Sequence, residues 1–338
     1  MSETTLRPSS NPKEDPPCHP AATKSSSVII IGAGMSGLCA ARSLTNANYT
    51  NVTLLEARSY IGGRTITKQI GDSGVMVDAG AAWIHGTKDN PLIAMCEDYG
   101  IPYVPHPEMK KSTAAAVDVT TAENDDEKMK RVAWTQEESE KVAPLIAEFV
   151  PTLQPGVSAT DAFDAFFSSD IVKEAGLTPT EINRATFMIE RIISGTAGPM
   201  DDLNIYYPAN GLSGRLSEGY DQLIVGGYNA LVEKLGDGLN IELEKVVNKI
   251  EYLKSDDGVK ITCNDGSEYT ADYAICSIPL GVLKSHSVEF VPTLSEEKCG
   301  ALDRLKMGGF EKVILVFDDH FFKGWKENLD EVSSASVT

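Results

Sequence analysis

Val28-Ile29-Ile30-Ile31-Gly32-Ala33-Gly34-Met35-Ser36-Gly37 is the stretch that decides the fold. Four consecutive apolar residues are too few for a helix and suit a strand buried on both faces, as in parallel sheets. Glycines follow at once in a GxGxxG spacing. Gly32 permits a tight turn, Gly34 lets backbone approach a pyrophosphate, and Gly37 lets a helix pack against the strand. The helix predicted from Met35 to about Leu44 would aim its first N–H groups, Ser36 among them, and its dipole at an anion. A second strand, Val52 to Leu55, runs into Glu56, 19 residues beyond Gly37. An acid at that place suits a ribose diol and disfavours a 2′-phosphate, so NADP is the least suited nucleotide. The opening therefore predicts an α/β protein with a dinucleotide-binding β-α-β unit.

Downstream, Glu56-Ala57-Arg58 leads through Ile61-Gly62-Gly63-Arg64. Gly63 lets the loop pass close over a cofactor, and Arg58 and Arg64 sit at a fixed distance from Glu56, where a guanidinium can neutralise phosphate. A glycine-rich loop is predicted for residues 62–86. Asn90-Pro91 then signals a helix start and Gly100 its end. Residues 102–131 read as irregular, with a solvated charge run from Glu123 to Arg131. A helical block is predicted for 135–195, with capping boxes at Thr135/Glu138 and Thr178/Glu181 and a buried face of Ile182, Ala185, Ile189 and Ile192. Beyond Gly226-Gly227, three β-rich runs, 246–253, 259–263 and 269–278, are separated by Asp257-Gly258 and Asp265-Gly266. Asp-Gly between such runs predicts a three-stranded meander whose turns use positive φ at glycine. A helix near 296–305 and a strand at Val313 to Phe317 complete the pattern.

Composition excludes several function classes. The 338 residues carry 30 basic and 49 acidic side chains, a net charge of −19, which argues against nucleic acid as a partner and favours cations. No apolar run reaches the roughly 18 residues of a membrane span. Residues 1–26, proline-rich and poor in large apolar groups, read as a disordered tail with no signal peptide. The six cysteines are scattered without a CxxC, so they predict free thiols in a reducing, cytoplasmic setting and no metal site.

Several further stretches carry a resemblance to the FAD-dependent amine oxidases, closest to the polyamine oxidases. The GxGxxG, Glu-Ala-Arg and Gly-Gly-Arg elements belong to it. Gly80-Ala81-Ala82-Trp83-Ile84-His85-Gly86 is similar to the loop beside the flavin. Val246 to Ile250 resembles the strand whose backbone holds adenine, with Val247 at the matching place. Gly226-Gly227-Tyr228, Ser277 to Lys284 and Met307 to Val313 match further segments, so the resemblance runs in family order over residues 28–317. It implies a Rossmann-like FAD-binding domain with a β-meander (27–101 and 215–286), interleaved with an α+β substrate domain (102–214 and 287–338).

The implied chemistry is hydride transfer from an amine carbon to flavin N5, with O2 reduced to hydrogen peroxide. Lys312 matches the lysine that holds a water near N5, His85 a residue that lines the substrate tunnel, and Trp83 an aromatic of the flavin loop. The implied partners are a small amine, such as a polyamine, and O2. Family members continue well beyond residue 338, which implies an incomplete substrate domain, weak FAD retention and little turnover for residues 1–338 alone. Two other readings share parts of the pattern: a catalytically silent FAD-binding or interaction protein, and an NAD-dependent dehydrogenase.

Overall fold

The computed structural model describes residues 22–72, 74–105, 115–117, 131–133, 136–154, 156–194, 198–203, 219–253 and 258–316. Most of the predicted tail, the charge run 123–130, Thr135, Asp257, Phe317 and the side chains of Ile189 and Ile192 lie outside the described residues.

In chain order, β1 (Val28–Ile31), α1 (Met35–Asn46) and β2 (Val52–Leu55) make the opening β-α-β. The hairpin β3 (Thr67–Gln69) and β4 (Met76–Asp78) precedes α2 (Pro91–Asp98). Short strands β5 (Tyr103–Pro105), β6 (Ala115–Val117) and β7 (Arg131–Ala133) lead into α3 (Gln136–Phe149), α4 (Ala159–Ser168), α5 (Asp170–Glu174) and α6 (Pro179–Ser194). Then come β8 (Gln222–Ile224), α7 (Asn229–Gly236), β9 (Asn240–Glu242), β10 (Val247–Tyr252), β11 (Val259–Cys263), β12 (Glu268–Ala271) and β13 (Tyr273–Cys276). The last described elements are α8 (Leu280–Lys284), β14 (Glu289–Val291) and α9 (Glu296–Arg304).

Contacts divide the chain into two units, Met1–Gly63 with Leu235–Cys299, and Arg64–Lys234 with Gly300–Thr338. In the first, β1 is central to a parallel sheet of order β13-β1-β2-β9. Successive side chains of a strand point to opposite faces, so one run of isoleucines serves two layers. Ile29, Ile31 and Leu55 share a core with Val247, Val259, Ile261 and Cys263 of the second sheet, while Ile30 and Leu54 are fully buried on the other face. Full burial of such a side chain stabilises the fold by about 1.5–3 kcal/mol. The architecture is mixed α/β with a parallel sheet.

The second sheet of this unit has the order β12-β11-β10-β14, with β10, β11 and β12 antiparallel and β14 parallel to β10. Gly258 and Gly266 take φ of +79° and +83°. The run 269–278, read as one strand, is two: β12 stays in this sheet and β13 crosses to pair with β1. Asp272 makes the crossing, because its carboxylate accepts from the N–H and hydroxyl of Ser27 just before β1.

Within the second unit, the loop predicted for 62–86 contains the β3–β4 hairpin, which pairs Thr67 with Asp78. Its turn runs through Gly71 and Gly74, both at positive φ. Among the described residues the helical block comprises the α-helices α3 to α6. Val142, Phe166, Val172 and Ala185 form a core with Ile182 packed against it. Thr178 and Glu181 make the reciprocal capping box: Thr178 N–H donates to Glu181 and Glu181 N–H to Thr178 Oγ1. Asn90 Oδ1 likewise caps α2 by accepting from Leu92 N–H. The predicted strand from Val313 is a correction. Residues 313–316 have no regular secondary structure and are exposed, with no ladder partner among the described residues, and a strand exists only through such pairing.

Candidate active site

The first region of interest is built from backbone. Gly32 adopts φ +100°, and Ser277 fastens this turn by donating from Oγ to the Ile31 carbonyl at 2.8 Å. A Cβ on Gly37 would lie 1.9 Å from the Gly32 carbonyl oxygen, so helix and turn meet at a distance that only glycine allows. Gly34, the N-cap of α1, has no side chain to satisfy the first-turn N–H groups. A Cβ placed on it would meet nothing closer than Gly63 Cα at 3.9 Å. The result is an open, uncapped helix N-terminus, with Ser36 exposed in its first turn. Gly62 donates to the Ala33 carbonyl at 2.8 Å, which brings the Gly62-Gly63 turn beside Gly34.

Glu56 is buried, and one carboxylate oxygen accepts from Ala33 N–H at 2.7 Å while the other accepts from Arg58 N–H at 2.9 Å. Each oxygen has a second lone pair for a ribose hydroxyl. Glu56 therefore also organises the turn, a role that its spacing does not reveal. Arg58 reaches Tyr60 Oη at 2.7 Å and the Gly63 carbonyl at 3.1 Å. Val247 lies in the core beneath the same sheet. Arg64 belongs by contact to the second unit, where its carbonyl accepts from Ala81 N–H and its side chain is exposed.

The second region is assembled in the other unit around the loop 80–86. Lys312 Nζ donates to the Asp78 carbonyl at 2.9 Å and to the Gly80 carbonyl, and stands 5.9 Å from the Trp83 ring centroid. Two of the three ammonium donors therefore hold the loop. Tyr228 Oη donates to the Trp83 carbonyl at 3.0 Å. The same tyrosine's N–H donates to Asp78 Oδ1, which also accepts from Thr67 Oγ1 at 2.6 Å. Burial pushes the Tyr228 phenol well above its ordinary range, helped by Asp78 nearby. Ile84, fully buried, exchanges backbone hydrogen bonds with Gln222 at 2.9 Å each way. His85 is fixed next to it by Asp221, 3.1 Å from Nδ1. Ala81 and Trp83 face outward, and Gly80 closes on Arg64 so tightly that a Cβ would sit 1.8 Å from its carbonyl oxygen.

Lys312, Trp83 and the loop 80–86 thus come together, as do Gly32, Gly34, Gly37, Glu56 and Gly63 in their own unit. Sequence reasoning gave no role to Ser277, Thr67, Asp78, Asp221 or the hydroxyl of Tyr228. Tyr228 ends the flagged Gly226-Gly227-Tyr228 turn and Ser277 opens a flagged segment; Thr67 meets Asp78, 11 residues on, across a hairpin that was not foreseen, and Asp221 carries no local signal because its partner His85 is distant in sequence.

A glycine turn under an uncapped helix, with a buried acid closing the second strand, defines a dinucleotide-binding α/β protein. A family model of the flavin-containing amine oxidoreductases matches residues 35–337, and the chain belongs to that family. FAD is the family's usual cofactor. The chain is 32% identical over 310 residues to lysine-specific histone demethylase 1 homolog 2 of Oryza sativa subsp. japonica, covering 90% of this chain and 38% of that protein. It is 30% identical over 308 residues to polyamine oxidase 2 of Arabidopsis thaliana, covering 89% and 60%. Human lysine-specific histone demethylase 2 is also 30% identical, with 90% and 36% covered. The chain thus spans under two-fifths of the demethylases and three-fifths of the polyamine oxidase. The open Gly34 position and the uncapped first turn of α1 fit the pyrophosphate of FAD. The family match selects flavin over the nicotinamide dehydrogenase that shares the GxGxxG.

Proposed function

We propose that the protein oxidises a polyamine, with FAD held by Gly32, Gly34, Ser36, Gly37, Glu56, Arg58 and Gly63 of the first unit, and Val247 at the adenine. Arg64, Gly80, Ala81, Ala82 and Trp83 complete the cofactor-binding set. FAD held by these residues would supply the two-electron acceptor for hydride from an amine carbon, with O2 as the final oxidant and hydrogen peroxide as its product. The observation that carries this reading is Lys312, whose ammonium lies against the Asp78 and Gly80 carbonyls beside Trp83. Its third donor would serve to orient a water in the proposed reaction, the two carbonyl contacts fixing the ammonium from which it does so. The net charge of −19 supports a polycationic substrate drawn by long-range attraction.

Anaerobic mixing of the FAD-loaded protein with spermidine tests the proposal. The flavin should bleach, more slowly at high ionic strength, and Lys312→Met should keep the flavin but slow bleaching at least tenfold. Flavin that binds but is bleached by no amine would establish the silent binding protein instead. Bleaching by a methyl-lysine peptide and not by spermidine would replace the polyamine with a peptide substrate, as the names of the demethylase relatives suggest.

A further inference from the structure

Arg58 and Tyr60 lie between β2 and the Gly62-Gly63 turn, inside the first unit. The backbone N–H of Arg58 donates to Glu56, but the guanidinium is held elsewhere. Nη1 donates to Tyr60 Oη at 2.7 Å and to the Gly63 carbonyl at 3.1 Å, and the guanidinium carbon stands 5.4 Å from the Tyr60 ring centroid. Among the described residues these are the contacts of the guanidinium, and none is with an acid. Both hydrogens of Nη1 are thereby used, and the N–H groups of Nε and Nη2 remain for another partner.

The place is unfavourable for a cation by itself. Gly63 sits beside Gly34, the uncapped N-cap of α1, whose first turn carries no acid. A helix N-terminus is the positive end of its dipole, so it repels a guanidinium until an anion joins them. Glu56 is buried nearby, and its two oxygens already accept from Ala33 and Arg58 N–H. An exposed arginine gains rotamer freedom and hydration by swinging outward. Here a tyrosine and a carbonyl pin it to the turn instead. We propose that Tyr60 is a positioning residue that holds Arg58 ready for the pyrophosphate of FAD. Its hydroxyl and ring, with the Gly63 carbonyl, fix the guanidinium beside the opening at Gly34 before the cofactor arrives. This rests on the cofactor half of the reading above and not on the amine. The ordering of a long side chain is then completed during folding and does not weaken binding.

Affinity for FAD, measured by titration calorimetry on the full chain, tests this in a double-mutant cycle. Tyr60→Phe keeps a ring but loses the oxygen that accepts from Nη1. It should weaken FAD about fivefold, the order expected when one long side chain must be fixed on binding, with the apo melting temperature unchanged. In an Arg58→Gln background the same change should cost nothing further, because no guanidinium remains to be held. Arg58→Gln should also flatten the loss of FAD affinity with added salt, while Tyr60→Phe, which keeps the charge, should not. Equal losses from Tyr60→Phe in both backgrounds would reduce Tyr60 to support of the loop and overturn the proposal. Unchanged or tighter FAD binding by Tyr60→Phe would overturn it too, the latter because Tyr60 would then hold Arg58 off the phosphates. So would an unaltered salt dependence in Arg58→Gln, or a wild type that binds no FAD. Flavin that binds in the expected pattern but is bleached by no amine would support the proposal and remove only the oxidase reading.

Discussion

The nucleotide cradle of the first unit and the loop 80–86 of the second are built by opposite means. The cradle is almost entirely backbone: turn, helix N-terminus and second glycine turn lie within residues 31–63, with Ser277 as a distant fastener. The loop is held by side chains brought from residues 67, 78, 221, 228 and 312. Backbone sites tolerate almost any side chain that points away and no Cβ that points in. Side-chain sites should fail by degrees, one contact at a time.

The largest effects are expected where backbone meets backbone. Gly37→Ala would force its Cβ against the Gly32 carbonyl and should cost about 3 kcal/mol or more in urea unfolding, the upper end for overpacking. Gly80→Ala makes the same collision with Arg64 in the second unit and should cost a similar amount. A tolerated Gly80→Ala beside a crippling Gly37→Ala would show that the loop yields where the cradle does not.

Next in size, Lys312→Met removes two charged hydrogen bonds to loop carbonyls, worth on the order of 2 kcal/mol together at a half-buried site. Loosening of Trp83 should shift its fluorescence towards solvent. An unshifted spectrum would mean that the loop does not depend on the lysine.

Tyr228→Phe deletes one hydrogen bond to the Trp83 carbonyl, about 1 kcal/mol. It also removes a pH dependence. The folded phenol keeps its proton above the ordinary value of 10.0, so as pH rises beyond 10 the unfolded chain ionises first and stability falls. That alkaline decline should flatten in the variant, which a pH series of denaturation curves would show.

The smallest effect belongs to the helical block. Lys141, and then the Thr178 cap, hold the Glu181 carboxyl at about 2, below its ordinary 4.5. The depressed value gives stability that is present above pH 4.5 and lost as pH falls towards 2. Glu181→Gln should remove that acid limb while leaving flavin binding and bleaching unchanged, a control for both regions.

Legibility in the sequence followed the same division. The β-α-β opening, the glycines and Glu56 were readable because the pattern is local, and the Thr178/Glu181 capping box is visible for that reason too. Asp272 broke an apparent single strand into two, since its partner Ser27 lies 245 residues away. The β3–β4 hairpin hid within a glycine-rich stretch, and β14 was too short to signal itself. Asp221 was invisible: nothing around it marks an acid that will be buried against a histidine. Local grammar names the candidates, while their partners come only from the folded chain.

The central claim is that the open position at Gly34 is where the cofactor's phosphates approach the backbone. Gly34 has φ of −73°, a conformation that alanine accepts, and space for a methyl group. Titration of FAD into wild type and Gly34→Ala, alongside thermal melts of the apo-proteins, puts it to the test. The account predicts melting temperatures that agree and saturable FAD binding that the methyl group weakens at least tenfold. Equal FAD affinity in the two proteins would contradict it.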